Sequence, residues 1–566
     1  MNRTPIYLSA LGILNALGNG CNEVLENLLQ CNPVGMAKRT DLLINGEVNV
    51  GQVNAELQTL PKQYSRYNSR NNRLLITAYQ QIEVSTKALI EEYGAHRIGV
   101  VIGSSTSGIA EGEEAIKQYI NNAELPSTYH YRQQEMGSAA ECLAEYIGLT
   151  SVAMTVSTAC SSSAKIFDSA RKLIEVDLCD AVLVGGADSL CRLTVNGFSA
   201  LESVSSSICK PFSRNRDGIT IGEGAALFLM TKKPIASPFS NREDFPIRLL
   251  GVGSASDAHH ISAPHPQGKG AIAAMYAALN DAQLTPDRIC YVNLHGTGTK
   301  QNDAMESIAT HSVFGANKLC GSTKALTGHM LGAAGATEVA FCWLLLTELN
   351  RERALPPHSW DDEPDESLAS LNLVPPDTKI PEQGAEISEE VFMMSNSYAF
   401  GGNNVSVIIG REGRNSVGNN IAKRFTVREV VPHAGKMVLL DEILDCNENS
   451  LTASLLITEE TLFLDNMGRV PAWVGIEYMA QAVAAWAGTH AKIAGRPVQL
   501  GYLLGTRKYI AHVDNFLLGS RLTVTVKMIY RDNELGVFDC AIATDNLLVE
   551  ASINVYQPEV SSNKLS

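Results

Sequence analysis

Short apolar runs, most of them closed by glycine, recur along the first four hundred residues, at 98–103, 181–187, 248–253, 290–295 and 405–410. They are too short for ordinary helices and show no polar alternation, so they are predicted to be strands buried on both faces. Between them, apolar positions spaced by three and four residues predict helices at 139–147, 162–174, 270–281 and 336–348. Alternation of the two patterns predicts an α/β domain over about residues 1–410. The apolar stretch 7–18 follows a single arginine and contains two glycines, and an amphipathic segment at 24–29 comes after it. That pattern predicts a first strand and turn rather than a secretion signal. No run approaches the ~18 apolar residues that a membrane-spanning helix needs.

Around 411–424 the periodicity gives way to small, polar and charged residues, the pattern of a linker. Beyond it the order of elements changes. One long, mostly apolar helix is predicted from Ala472 to about Ile493, followed by three alternating strands at Leu522/Val524/Val526/Met528, Phe538/Cys540/Ile542 and Val549/Ala551/Ile553/Val555. Strands joined by short polar turns make an antiparallel sheet, and such a helix covers it. This predicts a second, α+β domain over 425–558. The acid-rich, proline-containing stretch 361–390 is expected to be a solvated surface connection.

The 566 residues are 45% hydrophobic and 19% charged, enough apolar material for real cores and too much for general disorder. A net charge of −15 argues against a general nucleic-acid binder. The 12 cysteines show no CxxC and no zinc-ligand spacing, so neither a disulfide framework nor a metal site is expected. Reduced thiols and a cytoplasmic location are the expectation.

Candidate chemistry lies at the ends of the predicted strands. Ser157-Thr-Ala-Cys-Ser-Ser-Ser163 would place the Cys160 thiol at a strand-to-helix turn, where a helix N-terminus favours a thiolate. His295 ends a strand in His295-Gly-Thr-Gly-Thr299, and His329 precedes a helix in Lys324-Ala-Leu-Thr-Gly-His-Met-Leu-Gly-Ala-Ala-Gly335. Histidines in glycine-rich strand-end loops are accessible to substrate. The segment 102–108, Ile-Gly-Ser-Ser-Thr-Ser-Gly, lacks the lysine and spacing of a phosphate loop and reads as a strand-end turn, so no nucleotide cofactor is implied.

These motifs, with Asp303 and Glu306, the run Pro211-Phe-Ser-Arg-Asn-Arg-Asp-Gly218 and the run Asn396-Ser-Tyr-Ala-Phe-Gly-Gly-Asn-Asn404, resemble a β-ketoacyl-carrier-protein synthase over about 400 residues. The resemblance implies a duplicated, five-layered αβαβα thiolase fold with halves of about 1–240 and 241–410, and usually a dimer, either of identical chains or with a chain-length-factor homologue. It implies that Cys160 carries the acyl group and that His295 and His329 stabilise the enolate of a decarboxylating malonyl thioester. Backbone N–H groups of Cys160 and Phe400 would hold the other oxyanion. Phe400 resembles the gating aromatic, and Lys324 and Glu306 resemble the charged pair that supports the histidines. Ser213 stands where the family commonly has aspartate. Substrates would ride on the phosphopantetheine of an acyl carrier protein. Arg66, Arg70, Arg73 and Lys210 are the candidates for a basic patch that receives its acidic surface, the alternative being a solvated helix face. Some synthase-like chains are non-catalytic partners that typically lack the cysteine; Cys160 with both histidines favours catalysis.

In the second domain, Val431-Pro-His-Ala-Gly-Lys-Met-Val-Leu-Leu-Asp441 and Val470-Pro-Ala-Trp-Val-Gly-Ile-Glu-Tyr-Met-Ala-Gln481 stand out. Glu477 lies on an otherwise apolar helix, where a buried carboxyl would serve as an acid. Both segments resemble a hot-dog-fold 3-hydroxyacyl-carrier-protein dehydratase of the aryl polyene type. Glu477 falls on that family's acid, while Phe463 occupies the usual position of its histidine, which leaves His433 as the candidate base and Asp465 as the next. The expectation is a bifunctional synthase and dehydratase, served by a separate ketoreductase. The alternative is a general fatty-acid elongation synthase whose hot-dog domain only binds acyl chains or dimerises.

Overall fold

The computed structural model describes residues 4–235, 246–381, 390–411, 425–446, 449–493, 496–532, 534–544 and 546–558, so the predicted linker, apart from Arg411, lies outside the described residues. The chain divides into two compact units, Met1–Gly413 and Arg414–Ser566.

The first unit is built twice from one plan. Its first half contributes the strands Tyr7–Asn15, Ile98–Gly103, Ala153–Val156, Ala181–Asp188 and Gly224–Thr231; its second contributes Ile247–Ser256, Ile289–Asn293, Leu319–Gly321, Val391–Ala399 and Asn403–Arg411. In each half the strands lie side by side in the order third, second, fourth, fifth, first. The third, second and fourth are parallel in each half, and the fifth runs antiparallel to both its neighbours. The first strands of the two halves meet at Tyr7 and Arg248. All five strand runs expected from the sequence are present, and so are the four helices, as Ser138–Ile147, Ser162–Glu175, Lys269–Ala282 and Ala334–Leu346.

The layering follows from which helices are apolar all round. All thirteen residues of Ala334–Leu346 are buried, because this helix and Ser162–Glu175 each touch strands of both halves and so form the middle layer. Arg70–Gln80 and Ser138–Ile147 cover the outer face of the first half, and Lys269–Ala282 covers that of the second. Five layers result. The core includes Phe167, Phe228 and Trp343, whose indole N–H donates to the Leu8 carbonyl at 2.8 Å. Each such fully buried large apolar side chain contributes roughly 1.5–3 kcal/mol. The central helices approach closely where a Cβ on Gly335 would lie 2.7 Å from the Ala164 backbone nitrogen.

The second unit is an antiparallel sheet wrapped on one helix. Six strands lie in the order Glu442–Cys446, Ser450–Leu456, Arg521–Asp532, Leu535–Ala543, Leu547–Tyr556, Tyr502–Ala511. Leu522, Val524 and Val526 point inward as the alternation predicts, against Tyr478, Met479, Ala482 and Trp486 of helix Gly475–Ile493. A single 3₁₀ turn, Ala472–Val474, precedes that helix where the sequence placed its start. Tyr502–Ala511, with apolar and polar residues mixed on both faces and no alternation, is an exposed edge strand that periodicity did not reveal.

Gly335→Ala is expected to lower the unfolding midpoint of the synthase unit by about 1–4 °C, since overpacking costs roughly 1–3 kcal/mol. Scanning calorimetry checks this, and an unchanged midpoint would show that the central helices part without cost.

Candidate active sites

The middle layer places the N-termini of its two helices side by side. Cys160 lies just before Ser162–Glu175, and His329 lies in the corresponding turn of the second half, before Ala334–Leu346. His295 follows the second strand of that half. All three are buried, and their ligand-type atoms lie within 4.8 Å of one another. They share a pocket of about 430 Å³ with Thr297, Thr299, Lys300, Tyr398 and Phe400. A thiol and two imidazoles are also a possible ligand set for zinc, but the Lys324 ammonium, 3.4 Å from His295 Nδ1, disfavours a cation there.

Lys324 sets the state of His295. An ammonium only donates, so His295 Nδ1 accepts and the ring proton sits on Nε2, free to donate elsewhere. Lys324 also donates to the His295 carbonyl and to Glu338 Oε1, both side chains of that ion pair being buried. Its partner is therefore Glu338, not Glu306 as the resemblance suggested. Glu306 instead accepts the backbone N–H groups of His295 and Gly296, each at 2.7 Å, and fixes that turn; burial pushes its carboxyl up to about 8. Burial first, then the Lys324 charge, hold both histidines well below their ordinary value, so both are neutral. The ring nitrogens of His329 have no partner among the described residues. Its backbone is held by Thr220 and Gly222, at 2.6 and 2.9 Å.

Cys160 departs from expectation in its charge. Burial pushes its thiol up to about 11, outweighing the lowering by Lys324 and by the backbone N–H groups of Phe400 and Cys160 itself. The free thiol is protonated at neutral pH. Desolvation of a fully enclosed sulfur exceeds what a helix N-terminus returns. Phe400, about one-third exposed, packs edge-on against Phe198 with ring centroids 5.6 Å apart.

The acid-rich stretch lies at the surface where it is described, as expected, but several of its groups are tied to the synthase fold. Ser213 donates to Asp361 at 2.6 Å, Arg216 to Asp365 at 2.6 Å, and the Arg214 backbone to the Glu363 carbonyl at 2.9 Å. A carboxylate 148 residues away thus sits beside Ser213, where the family commonly has its own aspartate. Lys210 lies 3.3 Å from the same Asp361. The expected carrier-facing arginines do not share one helix either: Arg66 is in the 3₁₀ turn Lys62–Tyr67, and Ser69 caps Arg70–Gln80. Arg66 pairs with Glu145, and Arg70 forks onto the buried Glu223. Arg73 is half-buried. Arg66, Arg70 and Lys210 are each paired with a carboxylate of the fold.

In the second unit, His433 Nε2 lies 3.8 Å from Glu477 Oε1. Both line a groove of about 170 Å³ with Ala480, Ala484, Ala487 and Phe538. The steps from Glu477 to Ala487 run the groove about 15 Å along the helix. Glu477 is about one-third exposed, so the burial expected of it is not met. Gln481, which sequence reasoning passed over, donates to Glu477 Oε1 at 3.1 Å and to the Met437 carbonyl, and accepts from the Leu439 N–H. The four-residue spacing of Glu477 and Gln481 on one helix was the signal available. Phe463 is exposed with φ +69° and packs against Trp473, and Asp465 is occupied with Arg469 in a turn. His490 is bonded to the Trp486 carbonyl.

The duplicated five-layered architecture is that of the thiolase class. Residues 32–235 and 247–358 match the N-terminal and C-terminal domains of β-ketoacyl synthases, and residues 425–566 match the ApeP dehydratase. One chain of the solved ketosynthase (ApeO) in complex with its chain length factor (ApeC) from Xenorhabdus doucetiae is 44% identical, with TM-score 0.63, covering 72% of this chain and 98% of that one. A β-ketoacyl synthase from Burkholderia phymatum STM815 is 26% identical, with TM-score 0.63, covering 72% and 99%. Among curated relatives, the 3-oxoacyl-[acyl-carrier-protein] synthase 2 of Staphylococcus aureus (strain COL) is 28% identical over 419 residues, 71% of this chain and 97% of the relative. The chain belongs to the β-ketoacyl synthase family and carries an ApeP-like dehydratase domain. It is a bifunctional synthase and dehydratase of aryl polyene-type biosynthesis. Among the described residues no helix is long and apolar enough to cross a membrane.

Because burial pushes the Cys160 thiol up to about 11, its alkylation by iodoacetamide is expected to quicken about tenfold per pH unit between pH 7 and 10. Mass-spectrometric labelling of Cys160 across that range measures the rate. A rate already level at pH 7 would refute the protonated ground state.

Proposed function

We propose that Cys160 is the acyl acceptor and that His295 and His329 act on the malonyl unit. The observation that carries this is the meeting of the three groups at one pocket, with two neutral imidazoles whose donors are left free. The Cys160 sulfur attacks the acyl thioester of the carrier; the S–C bond to the enzyme forms, the bond to phosphopantetheine breaks, and its thiol leaves with the Cys160 proton. A malonyl thioester then loses carbon dioxide, and the resulting enolate oxygen receives the His295 Nε2–H and a His329 N–H. Neutral donors in a dry site suit an oxyanion that exists only in passing. The enolate carbon attacks the acyl-Cys160 carbonyl, whose oxyanion is held by the N–H groups of Cys160 and Phe400. Collapse releases the ketoacyl chain and Cys160.

In the second unit, His433 takes the α-proton of a 3-hydroxyacyl thioester and Glu477 protonates the departing hydroxyl, giving water and the 2-enoyl thioester. Gln481 holds Glu477, and the groove beyond takes the acyl tail. At 3.8 Å the two groups face one groove side by side, so a substrate lying across them can meet both. Reduction of the ketone falls to a separate ketoreductase.

The partners follow from the chemistry: an acyl carrier protein presenting phosphopantetheine, met at the synthase pocket mouth where exposed Lys300 lines the rim, and a second synthase chain, identical or of the chain-length-factor kind. Helix Ile109–Asn122 supports the latter, since Ile116, Tyr119 and Ile120 form an exposed apolar stripe. The solved ApeO–ApeC complex is itself such a pairing. Twelve free thiols favour a reducing, cytoplasmic setting.

Cys160→Ala is expected to abolish condensation in a folded protein, while His295→Ala or His329→Ala retains some acylation of Cys160 and loses decarboxylation. Trapped acyl-enzyme and carbon dioxide release measure the two steps, and a histidine variant that decarboxylates at the normal rate would unseat that histidine. Glu477→Gln and His433→Ala are each expected to slow dehydration of 3-hydroxyacyl-carrier at least about 100-fold with condensation intact. Unchanged dehydration in both would move the acid and the base to other residues of the second unit.

A further inference from the structure

Asp188, the last residue of the strand Ala181–Asp188, is completely enclosed. Its Oδ1 accepts from Ser104 Oγ, the Ser105 N–H and the Thr106 N–H, each at 2.8 Å, and from Thr106 Oγ1 at 2.9 Å. Its Oδ2 accepts from the Ser105 N–H at 3.1 Å and the Ala333 N–H at 3.2 Å. Ser104, Ser105 and Thr106 follow the second strand of the first half. Ala333 belongs to the second half, in the 3₁₀ turn Leu331–Ala333 that starts two residues after His329. One carboxylate thus spans both halves.

The bonds continue to the reacting groups. Ser105 Oγ donates to the carbonyl of Ala159, the residue before Cys160, at 3.1 Å. Ala159 has φ +51° and Leu331 has φ +49°, left-handed backbone that an alanine or leucine adopts only when its surroundings impose it. The turn that presents Cys160 and the turn that follows His329 are therefore both strained, and both lead back to Asp188. Gly332 completes the contact: a Cβ there would lie 2.5 Å from Ser105 Oγ and 2.8 Å from Asp188 Oδ2. So many converging donors call for an anionic acceptor.

We propose that Asp188 is a positioning residue that clamps the Cys160 turn of the first half to the His329 turn of the second, and so sets the spacing between the acyl-enzyme and the malonyl site. It touches no substrate and acts through Ser105 and Ala333. The proposal rests on the assignment of Cys160 and His329 made above.

Asp188→Asn in the full chain is the test, because the amide keeps Oδ1 for its donors and turns an NH₂ against the Ala333 N–H. Decarboxylation of malonyl-carrier is expected to fall at least about tenfold, with acylation of Cys160 held within about threefold. Ser105→Ala, which keeps the carboxylate and removes only the Ser105 hydroxyl from the Ala159 carbonyl, leaving it to Ser162, should show the reverse split and decides the matter if Asp188→Asn does not fold. Equal losses in both half-reactions for both variants, or no loss in either, would overturn the clamp. Cys160→Ala run alongside separates the cases: if it still acylates and condenses, the underlying assignment has failed rather than the clamp.

Discussion

The synthase unit depends on one packing contact, the crossing of two buried helices at Gly335 and Ala164 between the sheets of its two halves. Each helix follows the third strand of its half, so the duplication brings two equivalent helix N-termini together. One carries Cys160 and the other follows His329. Neither half holds both. Because Ala334–Leu346 is buried on every side, its position is set by close packing against both sheets, and the pocket inherits that rigidity.

Burial then decides the electrostatics. The same enclosure that orders the site raises the Cys160 thiol and lowers both histidines, so the pocket holds neutral reacting groups around one buried ion pair, Lys324 with Glu338. A buried charge is tolerated only when paired and hydrogen-bonded, and Lys324 meets that condition through Glu338 and the His295 carbonyl. Its remaining reach, to His295 Nδ1, selects the imidazole tautomer. The dehydratase unit works differently. Its Glu477 and His433 stay open to a groove, and the amide of Gln481, not burial, holds the carboxyl in place. One chain therefore prepares acyl-transfer chemistry by desolvation and acid–base chemistry by hydrogen bonding.

Much of this was legible in the sequence because its signals are local. Buried strands at 98–103 and 181–187, the apolar helix before residue 348 and the inward alternation of Leu522, Val524 and Val526 each follow from spacing within one element. The glycine-rich turns around His295 and His329, and the cysteine two residues before a helix, are likewise written in a few consecutive residues. The edge strand Tyr502–Ala511 escaped because an edge needs no alternation.

What only the tertiary structure decided is which distant groups face each other and how much water they keep. The sequence by itself determined the two kinds of domain, the duplicated order of elements and the residues available for thioester and acid–base chemistry. It could not choose Glu338 over Glu306 for Lys324, place Asp361 beside Ser213, commit Arg70 to Glu223, or leave the Cys160 thiol protonated at neutral pH. Hydrogen-bonded periodicity acts over a few residues, whereas ion pairing and desolvation depend on distances between segments as far apart as 153 positions, which exist only once the chain has closed on itself.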